Sequence, residues 1–277
     1  MPNDLTNLSV IKNSLAEHGI FPSRRLGQNF ICNSGAIKKI IEAAMAEEKE
    51  CLEIGPGLGA LTSALSDIAK CVTAVEVCEK LEGVLEENLA ELKNVKIIFQ
   101  DFLKLDPKSI GNLSWVVVSN LPYSISTPAL FRFIDGGFKW ERMIFTLQAE
   151  VGERLAASPR TKEYGALSIA VQASCKVELL NRFPSSFFWP RPKIESVLVR
   201  LTPSENEKPL PVLRKVLRTA FSSRRKTMRN AMKGIEHGIE ALSAAKLDPN
   251  CRPEEIPVPL WIELARKISE LENKKDI

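Results

Sequence analysis

The chain has 277 residues, of which 44% are hydrophobic and 26% charged, enough for one domain with a full core and a smaller second one. The sequence has no apolar run of the ~18 to 20 residues that a membrane span needs, and its N-terminus lacks a secretory signal pattern, so a cytoplasmic protein is expected. The net charge is +4, and the whole excess lies in residues 201–277, which hold 15 Lys and Arg against 11 Asp and Glu.

The cysteines and histidines do not indicate a metal site. The six cysteines form no C-x-x-C pair, and several lie in apolar runs where a thiol behaves as a small hydrophobe. His18 and His237 are far apart in the sequence. We therefore expect reduced, structural cysteines and no bound metal.

Short β-branched runs alternate with amphipathic stretches between residues 51 and 148. This alternation predicts a parallel sheet covered by helices on both faces, that is, a doubly wound α/β domain. The predicted strands are 51-CLEIG, 71-CVTAVEV, 96-KIIF, 115-WVVVSN and 143-MIFTLQ, with helices at 59-GALTSALSDIAK and 79-EKLEGVLEENLAEL. Two later runs, 167-LSIAVQASCKVELL and 196-SVLVRL, are predicted to be closing strands.

The sequence changes character after the polar, proline-bearing stretch 201-LTPSENEKP. The segments that follow, such as 211-PVLRKVLRTAF and 260-LWIELARKISEL, have only helical periodicity. Residues 1–203 are therefore expected to form the α/β domain, and residues 204–277 a small all-α domain.

The segment 52-LEIGPGLGAL follows a predicted strand and opens a predicted helix, as nucleotide-binding turns do. Gly55 and Gly57 allow the backbone to turn sharply and lie against a ligand. With Ala60 they also satisfy the dinucleotide pattern, and Glu76 ends the next strand where an acidic ribose-binding residue is expected. A nicotinamide-dependent enzyme is therefore one interpretation.

Two further acids favour S-adenosyl-L-methionine as the cofactor. Glu53 completes an E-x-G-x-G-x-G pattern, and Asp101 ends the third strand, where its side chain can accept a hydrogen bond from an adenine amino group. Glu76 can accept from both ribose hydroxyls. Val77 and Phe102 are candidate walls for the adenine ring, although apolar residues at these positions also fit a plain core.

The motif 120-NLPY directly follows the fourth predicted strand, at the sheet edge that presents ligands. An adenine amine can accept a methyl group when hydrogen bonds hold its nitrogen pyramidal, and Asn120 and the backbone near Leu121 and Pro122 supply acceptors. Tyr123 can stack on a base that has left its own stack. Taken alone, N-L-P-Y also fits an ordinary turn.

Taken together, these motifs resemble those of the small-subunit ribosomal RNA adenine dimethyltransferases. The resemblance covers nearly the whole length of the chain. Further motifs that carry it are 26-LGQNFI, 53-EIGPGLGALT, 188-FWPRPKIES and 221-FSSRRKTMRN. The resemblance implies a Rossmann-like methyltransferase domain that binds S-adenosyl-L-methionine, followed by a helical RNA-binding domain.

The resemblance also implies roles for residues outside the sheet. Gln28, Asn29 and Ile31 would close over the methionine end of the cofactor, and Phe188 would sandwich the target adenine against Tyr123. The resemblance also implies that the cofactor site is completed by Gly55, Glu76, Asp101 and Asn120. From the residues alone, Gln28 and Asn29 equally fit surface positions, and Phe188 fits a core aromatic.

A dense basic run between residues 214 and 233 contains eight Lys and Arg and no acid. A run of this kind can neutralise several phosphates, although a solvated basic helix face is the alternative. The RNA-binding candidates within it are Arg224, Arg225, Lys226 and Arg229, and Arg24 and Arg25 would extend the track.

The resemblance implies dimethylation of two adjacent adenines in the 3′-terminal hairpin loop of 16S rRNA, with the small ribosomal subunit precursor as partner. Two alternatives remain open: a 23S rRNA dimethyltransferase of the macrolide-resistance type, and a mainly non-catalytic RNA-binding assembly factor. Nothing in the sequence indicates an obligate protein partner, so a monomer is expected.

Overall fold

The computed structural model describes residues 4–23, 25–204, 211–222 and 226–273. The strands are β1 (Phe30–Ile31), β2 (Glu50–Ile54), β3 (Cys71–Glu76), β4 (Val95–Phe99), β5 (Ser114–Asn120), β6 (Lys139–Gln148), β7 (Cys175–Phe183), β8 (Phe188–Trp189) and β9 (Ser196–Pro203). The α-helices are α1 (Leu8–Glu17), α2 (Ser34–Ala44), α3 (Ala60–Ser66), α4 (Glu82–Leu89), α5 (Ser126–Asp135), α6 (Ala149–Leu155), α7 (Ala166–Gln172), α8 (Val212–Ala220), α9 (Met228–Met232), α10 (Gly238–Ala244) and α11 (Val258–Asn273).

The chain divides into two compact units, Met1–Gly152 with Glu178–Thr202, and Glu153–Val177 with Pro203–Ile277. The sequence expectation placed the whole of residues 1–203 in the first domain. The difference is the excursion Glu153–Val177, which belongs to the helical unit because its apolar side chains pack there. Tyr164 and Ile169 of this excursion share a core with the C-terminal helices.

A seven-stranded sheet forms the centre of the first unit, in the order β4-β3-β2-β5-β6-β9-β7. Strands β2 to β6 pair in parallel, and β9 pairs antiparallel with β6. All five strands predicted between residues 51 and 148 are confirmed. Their continuous apolar runs are explained by burial on both faces, since Val116, Val117 and Val118 of β5 have no exposed surface.

The order of the strands reverses between β2 and β5, which lie side by side although two strands separate them in the chain. In open α/β sheets such a reversal leaves a crevice outside the carboxyl ends of the strands, where ligands bind. The fold therefore places the turn after β2 and the motif after β5 next to each other.

One predicted strand was wrong in its first half. Residues 167–172 of the strand predicted at 167–180 lie in α7, and β7 begins only at Cys175. The other late strand, predicted at 196, is confirmed as β9. An apolar run of this length fits a buried helix as well as a strand. The helix is fixed at its start by Ser168, whose hydroxyl accepts from the Gly165 N–H at 3.2 Å and donates to the Arg154 carbonyl at 2.6 Å.

The second unit is built from helices around a single apolar core, as the periodicity after residue 204 predicts. Trp261 of α11 is fully buried in this core, together with Leu213 and Leu217 of α8 and Met228 of α9. The amphipathic pattern of α8 is therefore satisfied on its apolar face, and its basic residues lie on the other.

The cysteines form no disulfide bonds. All six cysteines are free thiols, and burial raises the pKa of Cys51 and of Cys175 to about 12. In the ranges that the structure describes, no group of three or more His, Cys, Asp or Glu side chains could hold a metal ion. None of the helices within those ranges combines the length and the apolar character needed to cross a bilayer.

Candidate cofactor and target-base site

A cavity of about 340 Å³ opens at the carboxyl ends of β2, β3, β4 and β5. This volume is in the range of small-molecule sites. Of the expected site residues, the cavity is lined by Arg25, Gln28, Asn29, Ile31, Gly55, Gly57, Glu76, Val77, Asp101, Phe102, Asn120 and Pro122. The cavity thus brings together five segments that are widely separated in the chain.

The glycine turn after β2 takes a backbone conformation that only glycine adopts at low cost. The φ angles of Gly55 and Gly57 are +69° and +61°. A Cβ atom on Gly57 would lie 3.0 Å from a ring carbon of Phe30, which is tighter than an ordinary van der Waals contact, so a side chain here would press on that ring. The positive φ angles at Gly55 and Gly57 are what would let the backbone of this turn lie against a ligand.

Glu76 lies at the end of β3 with only 4% of its surface exposed. Its two carboxylate oxygens accept hydrogen bonds from the backbone N–H groups of Gly57, at 3.3 Å, and Cys78, at 2.9 Å. Burial nevertheless raises the pKa of Glu76 above its ordinary value. Each oxygen retains a second lone pair, so the carboxylate can still accept from two ligand hydroxyls.

Glu53, on β2, is a second buried acid in the wall of the same cavity. It is 2% exposed, and its Oε2 atom makes no hydrogen bond of good geometry among the described residues, although the nearby Thr62 hydroxyl acts to lower the pKa of the carboxyl. Burial raises the pKa of this carboxyl to about 8. An uncompensated carboxyl oxygen of this kind favours a cationic or hydrogen-bond-donating ligand group nearby.

Asp101 lies at the end of β4, where its Oδ1 caps the following turn by accepting the Leu103 N–H at 2.9 Å. Its second oxygen remains available to a ligand. Val77 is 49% exposed and lines the cavity, as an adenine wall would. Phe102 also borders the cavity, but its ring stacks on Phe133 at a centroid distance of 5.1 Å and is 3% exposed. Its main contacts are therefore those of a core aromatic.

The N-terminal motif forms one wall of the cavity and is held by its own polar groups. The Gln28 side-chain oxygen accepts the Ser23 N–H at 2.8 Å, and the Asn29 amide donates to the Gly27 carbonyl at 2.9 Å. Gln28 and Asn29 are thus half-buried residues of the cavity wall, and their closure over a cofactor stays a prediction. Ile31 is 5% exposed and lines the same cavity.

Asn120 ends β5 and lines the cavity together with Pro122. Its Nδ2 donates to the backbone carbonyl of Asn29 at 2.7 Å. This bond fixes the orientation of the amide and leaves Oδ1 as the acceptor of the side chain. Leu121, in contrast, is 1% exposed and packs in the core, so its side chain serves to anchor the motif.

The two aromatic residues expected to hold the target base lie in different settings. The Tyr123 hydroxyl is 2.8 Å from the Ser196 hydroxyl, and burial raises the pKa of this tyrosine. Phe188 lies in β8, where it pairs with Ile31 of β1, and only 2% of its surface is exposed. The ring packs in the apolar core with Ile31, Ile37 and Ile40 instead of lining the cavity. Stacking by Phe188 would require this ring to move, and the sandwich stays a prediction.

The expected RNA-binding residues are only partly within the described ranges. Arg25 is exposed at the cavity, and Lys226 and Arg229 are exposed in the second unit. Arg24, Arg224 and Arg225 lie outside the described residues. The basic residues of α8, which are Arg214, Lys215 and Arg218, are all exposed on its polar face.

Sequence reasoning missed several residues of the cavity wall. Gln100 and Ser124 directly adjoin recognised motif residues, so their positions in the chain were a usable signal. Leu5 also lines the cavity, and no pattern in the sequence connects it to the site. Phe30, which fills the space beneath Gly57, was hidden in the N-terminal motif as an ordinary apolar residue.

Comparison with known proteins identifies the family of the chain. The family model described as ribosomal RNA adenine dimethylase matches residues 22–270. A ribosomal RNA small subunit methyltransferase A from Pseudomonas putida is 40% identical, covering 89% of this chain and 95% of its own length. The protein of the same name from Bacillus cereus (strain B4264) is 33% identical, covering 96% of this chain and 97% of its own.

Solved structures agree on the fold. The dimethyladenosine transferase from Plasmodium falciparum superposes with a TM-score of 0.74 at 25% identity, covering 89% of this chain and 98% of its own. The 23S rRNA methyltransferase ErmE gives a TM-score of 0.67 at 22% identity over 87% of this chain and 100% of its own, which supports the fold alone. The chain belongs to the ribosomal RNA adenine dimethylase family, the S-adenosylmethionine-dependent enzymes that dimethylate adenine in ribosomal RNA.

Proposed function

We propose that this chain dimethylates the N6 amines of two adjacent adenines in the 3′-terminal hairpin loop of 16S rRNA, within the immature small ribosomal subunit in the cytoplasm. The relatives named for the small subunit support this substrate, since they match over nearly their whole length. The observation that carries the chemistry is the fixed amide of Asn120 in the cavity, with its oxygen left as an acceptor.

The residues of the cavity fit S-adenosyl-L-methionine, which when bound supplies an electrophilic methyl group. Glu76 offers two carboxylate oxygens for the ribose hydroxyls, and Asp101 offers one for the adenine amino group. The Glu53 carboxyl lines the same cavity and could accept a hydrogen bond from a methionine ammonium group. Gly55 and Gly57 let the backbone approach the ligand.

The target amine needs acceptors for its hydrogens and no strong base. Asn120 Oδ1 and a backbone carbonyl near Pro122 would accept the two N–H groups and hold the nitrogen lone pair out of conjugation with the ring. The amine becomes acidic only after it has gained a methyl group, and it can then lose its proton to water. Catalysis would therefore depend on positioning and electrostatics.

The target base must leave its stack to reach the cavity, and a stacking surface offsets part of that cost. Tyr123 lies three residues after Asn120 and would supply the ring, with Phe188 as the second face if it moves out of the core. Lys226 and Arg229, with Arg24, Arg25, Arg224 and Arg225, would contact RNA phosphates.

The test is methyl transfer from labelled S-adenosyl-L-methionine to small ribosomal subunits that lack adenine dimethylation, with large subunits as the control, followed by nucleoside analysis. Dimethyladenosine in small-subunit RNA alone is the expected result. Label in large-subunit RNA alone would assign the chain to the macrolide-resistance type. Tight binding to small subunits without label would identify an assembly factor instead.

A further inference from the structure

Phe21 is an aromatic residue that the fold leaves in solvent. Its exposed fraction is 88%, the highest of any large hydrophobic residue in the described part of the chain, where the next is Met45 at 52%. A single exposed hydrophobic residue is ordinary on a protein surface, so the case for a ligand at Phe21 depends on the backbone and the charges around it.

The backbone on both sides of Phe21 is held in place. Ile20 is 7% exposed in an apolar core, and its N–H donates to the Leu15 carbonyl at 2.8 Å. Pro22 follows, and a residue before proline is confined to extended conformations. The ring is therefore presented on an ordered segment and loses little backbone entropy when it binds.

Phe21 also lies close to the cavity. The backbone of Ser23 is joined to Gln28 by two hydrogen bonds, from the Ser23 N–H to the Gln28 side chain at 2.8 Å and from the Gln28 N–H to the Ser23 carbonyl at 3.2 Å. Gln28 lines the cavity. Because consecutive Cα atoms are about 3.8 Å apart, the Cα of Phe21 lies within roughly 8 Å of Ser23.

We propose that Phe21 stacks on an unpaired RNA base beside the target adenine and acts as a positioning residue for the RNA. The inference rests on the proposed function. Removing the target base from its stack exposes a face of the neighbouring base, and an aromatic ring carried by the ordered segment next to Gln28 can cover that face.

The charges around Phe21 favour RNA over a ribosomal protein as the occupant. Arg25 is exposed, lines the cavity and lies four positions further along the chain, and the sequence places Arg24 beside it. An aromatic ring next to cationic side chains is the combination that binds single-stranded nucleic acid, in which the charges hold phosphates and the ring holds a base.

The first experiment compares Phe21→Ala and Phe21→Trp with the wild-type protein on immature small subunits. Base stacking on an aromatic ring contributes enough to affinity that we expect Phe21→Ala to raise KM for the subunit roughly tenfold, with kcat and cofactor affinity unchanged. Phe21→Trp should restore KM because tryptophan offers a larger face. The matched control is Leu113→Ala, a truncation of another exposed hydrophobic residue that precedes β5 and so lies away from the carboxyl ends of the strands.

The second experiment identifies what Phe21 contacts. The variant Phe21→p-azidophenylalanine, irradiated on immature subunits, should crosslink to a 16S rRNA nucleotide adjacent to the methylated adenines. Crosslinking to a ribosomal protein alone, or a Phe21→Ala variant with the KM of the wild type, would overturn the inference. If the wild-type protein methylates no small-subunit RNA, the proposed function fails and this inference fails with it. If the wild type and Phe21→Ala methylate small-subunit RNA equally well, only this inference fails.

Discussion

Asn120 and Asn29, which are 91 residues apart in the chain, are joined by a hydrogen bond of 2.7 Å from the Asn120 amide to the Asn29 carbonyl. The bond links the motif after β5 to the N-terminal motif. It also means that the N-terminal segment sets the orientation of the amide that would face the target amine. The two motifs therefore act together, although the sequence presents them as separate signals.

The first prediction concerns Asn120→Ala. We expect methyl transfer to fall by roughly two to three orders of magnitude, because a preorganised hydrogen-bonding group at the reacting nitrogen is lost. Affinities for S-adenosyl-L-methionine and for the subunit should change far less. Single-turnover methyl transfer and calorimetric titration separate these effects. Asn112→Ala, at an exposed position before β5, is the control, and wild-type rates in Asn120→Ala would refute the role.

The second prediction concerns Gly57→Ala. The added Cβ would meet the Phe30 ring at 3.0 Å in a residue whose φ is already strained for alanine at +61°, so we expect the glycine turn to shift unless the ring yields by a few tenths of an ångström. We expect affinity for S-adenosyl-L-methionine to fall at least about tenfold, since the shift disturbs backbone that faces the ligand. Gly137→Ala is the matched control, because φ there is +83° and nothing lies within 4 Å of the new Cβ. A loss of affinity equal in both variants would mean that the contact with Phe30 is unimportant.

The third prediction concerns the buried acid Glu53, whose pKa is raised from 4.5 to about 8 by burial. Between these values the unfolded chain has lost the proton while the folded chain retains it. The free energy of unfolding of the wild type should therefore decrease as pH rises through this window, and the penalty is complete above about pH 8.

Glu53→Gln removes this titration. We expect its melting temperature, measured relative to the wild type, to increase steadily between pH 5 and pH 8.5. Thermal unfolding of both proteins at several pH values measures the difference. Glu17→Gln, at an exposed position in α1, serves as the control and should show no such trend. A constant difference between wild type and Glu53→Gln would show that Glu53 does not titrate in this window.

The sequence located the cavity residues that belong to a recognisable turn motif or lie at the end of a predicted strand. Gly57 and Asp101 come shortly after largely apolar strands and Glu76 ends another, and the strand order brings those ends together. The position of Phe188 was not located, because burial of its ring depends on the pairing of β8 with β1. Such pairings are set by tertiary packing and leave no periodic signal.

The same reasoning explains the error at residues 167–172. The alternation of Ile169 and Val171 fits a strand, but the segment packs in the helical core of the second unit. Short apolar segments take the conformation that buries them best, and that depends on neighbours far away in the sequence. The capping hydroxyl of Ser168 was a local signal for the helix that the apolar pattern obscured.

The fourth prediction separates the two parts of the Tyr123 side chain. Tyr123→Phe removes the hydrogen bond with Ser196 but keeps the ring, so it should lower the free energy of unfolding by about 1 kcal/mol and leave methyl transfer within a fewfold of wild type. Tyr123→Ala removes the stacking surface, and methyl transfer should fall at least a hundredfold. Chemical denaturation and initial rates measure the two effects. If both variants lose activity equally, the hydroxyl and not the ring would be the functional group.

The fifth prediction concerns the exposed cations Lys226 and Arg229. Each phosphate contact releases counterions, so log Kd for RNA depends linearly on log salt concentration, with a slope of about 0.7 per contact to a single strand. Replacing both residues with Gln should lower that slope by about 1.4 and leave cofactor affinity unchanged. The matched control changes the same charge at Lys246 and Arg252, which are exposed in the same unit but outside the basic run. If the control lowers the slope as much as the test pair does, the protein responds to net charge alone, and a specific phosphate-binding role for the basic run is wrong.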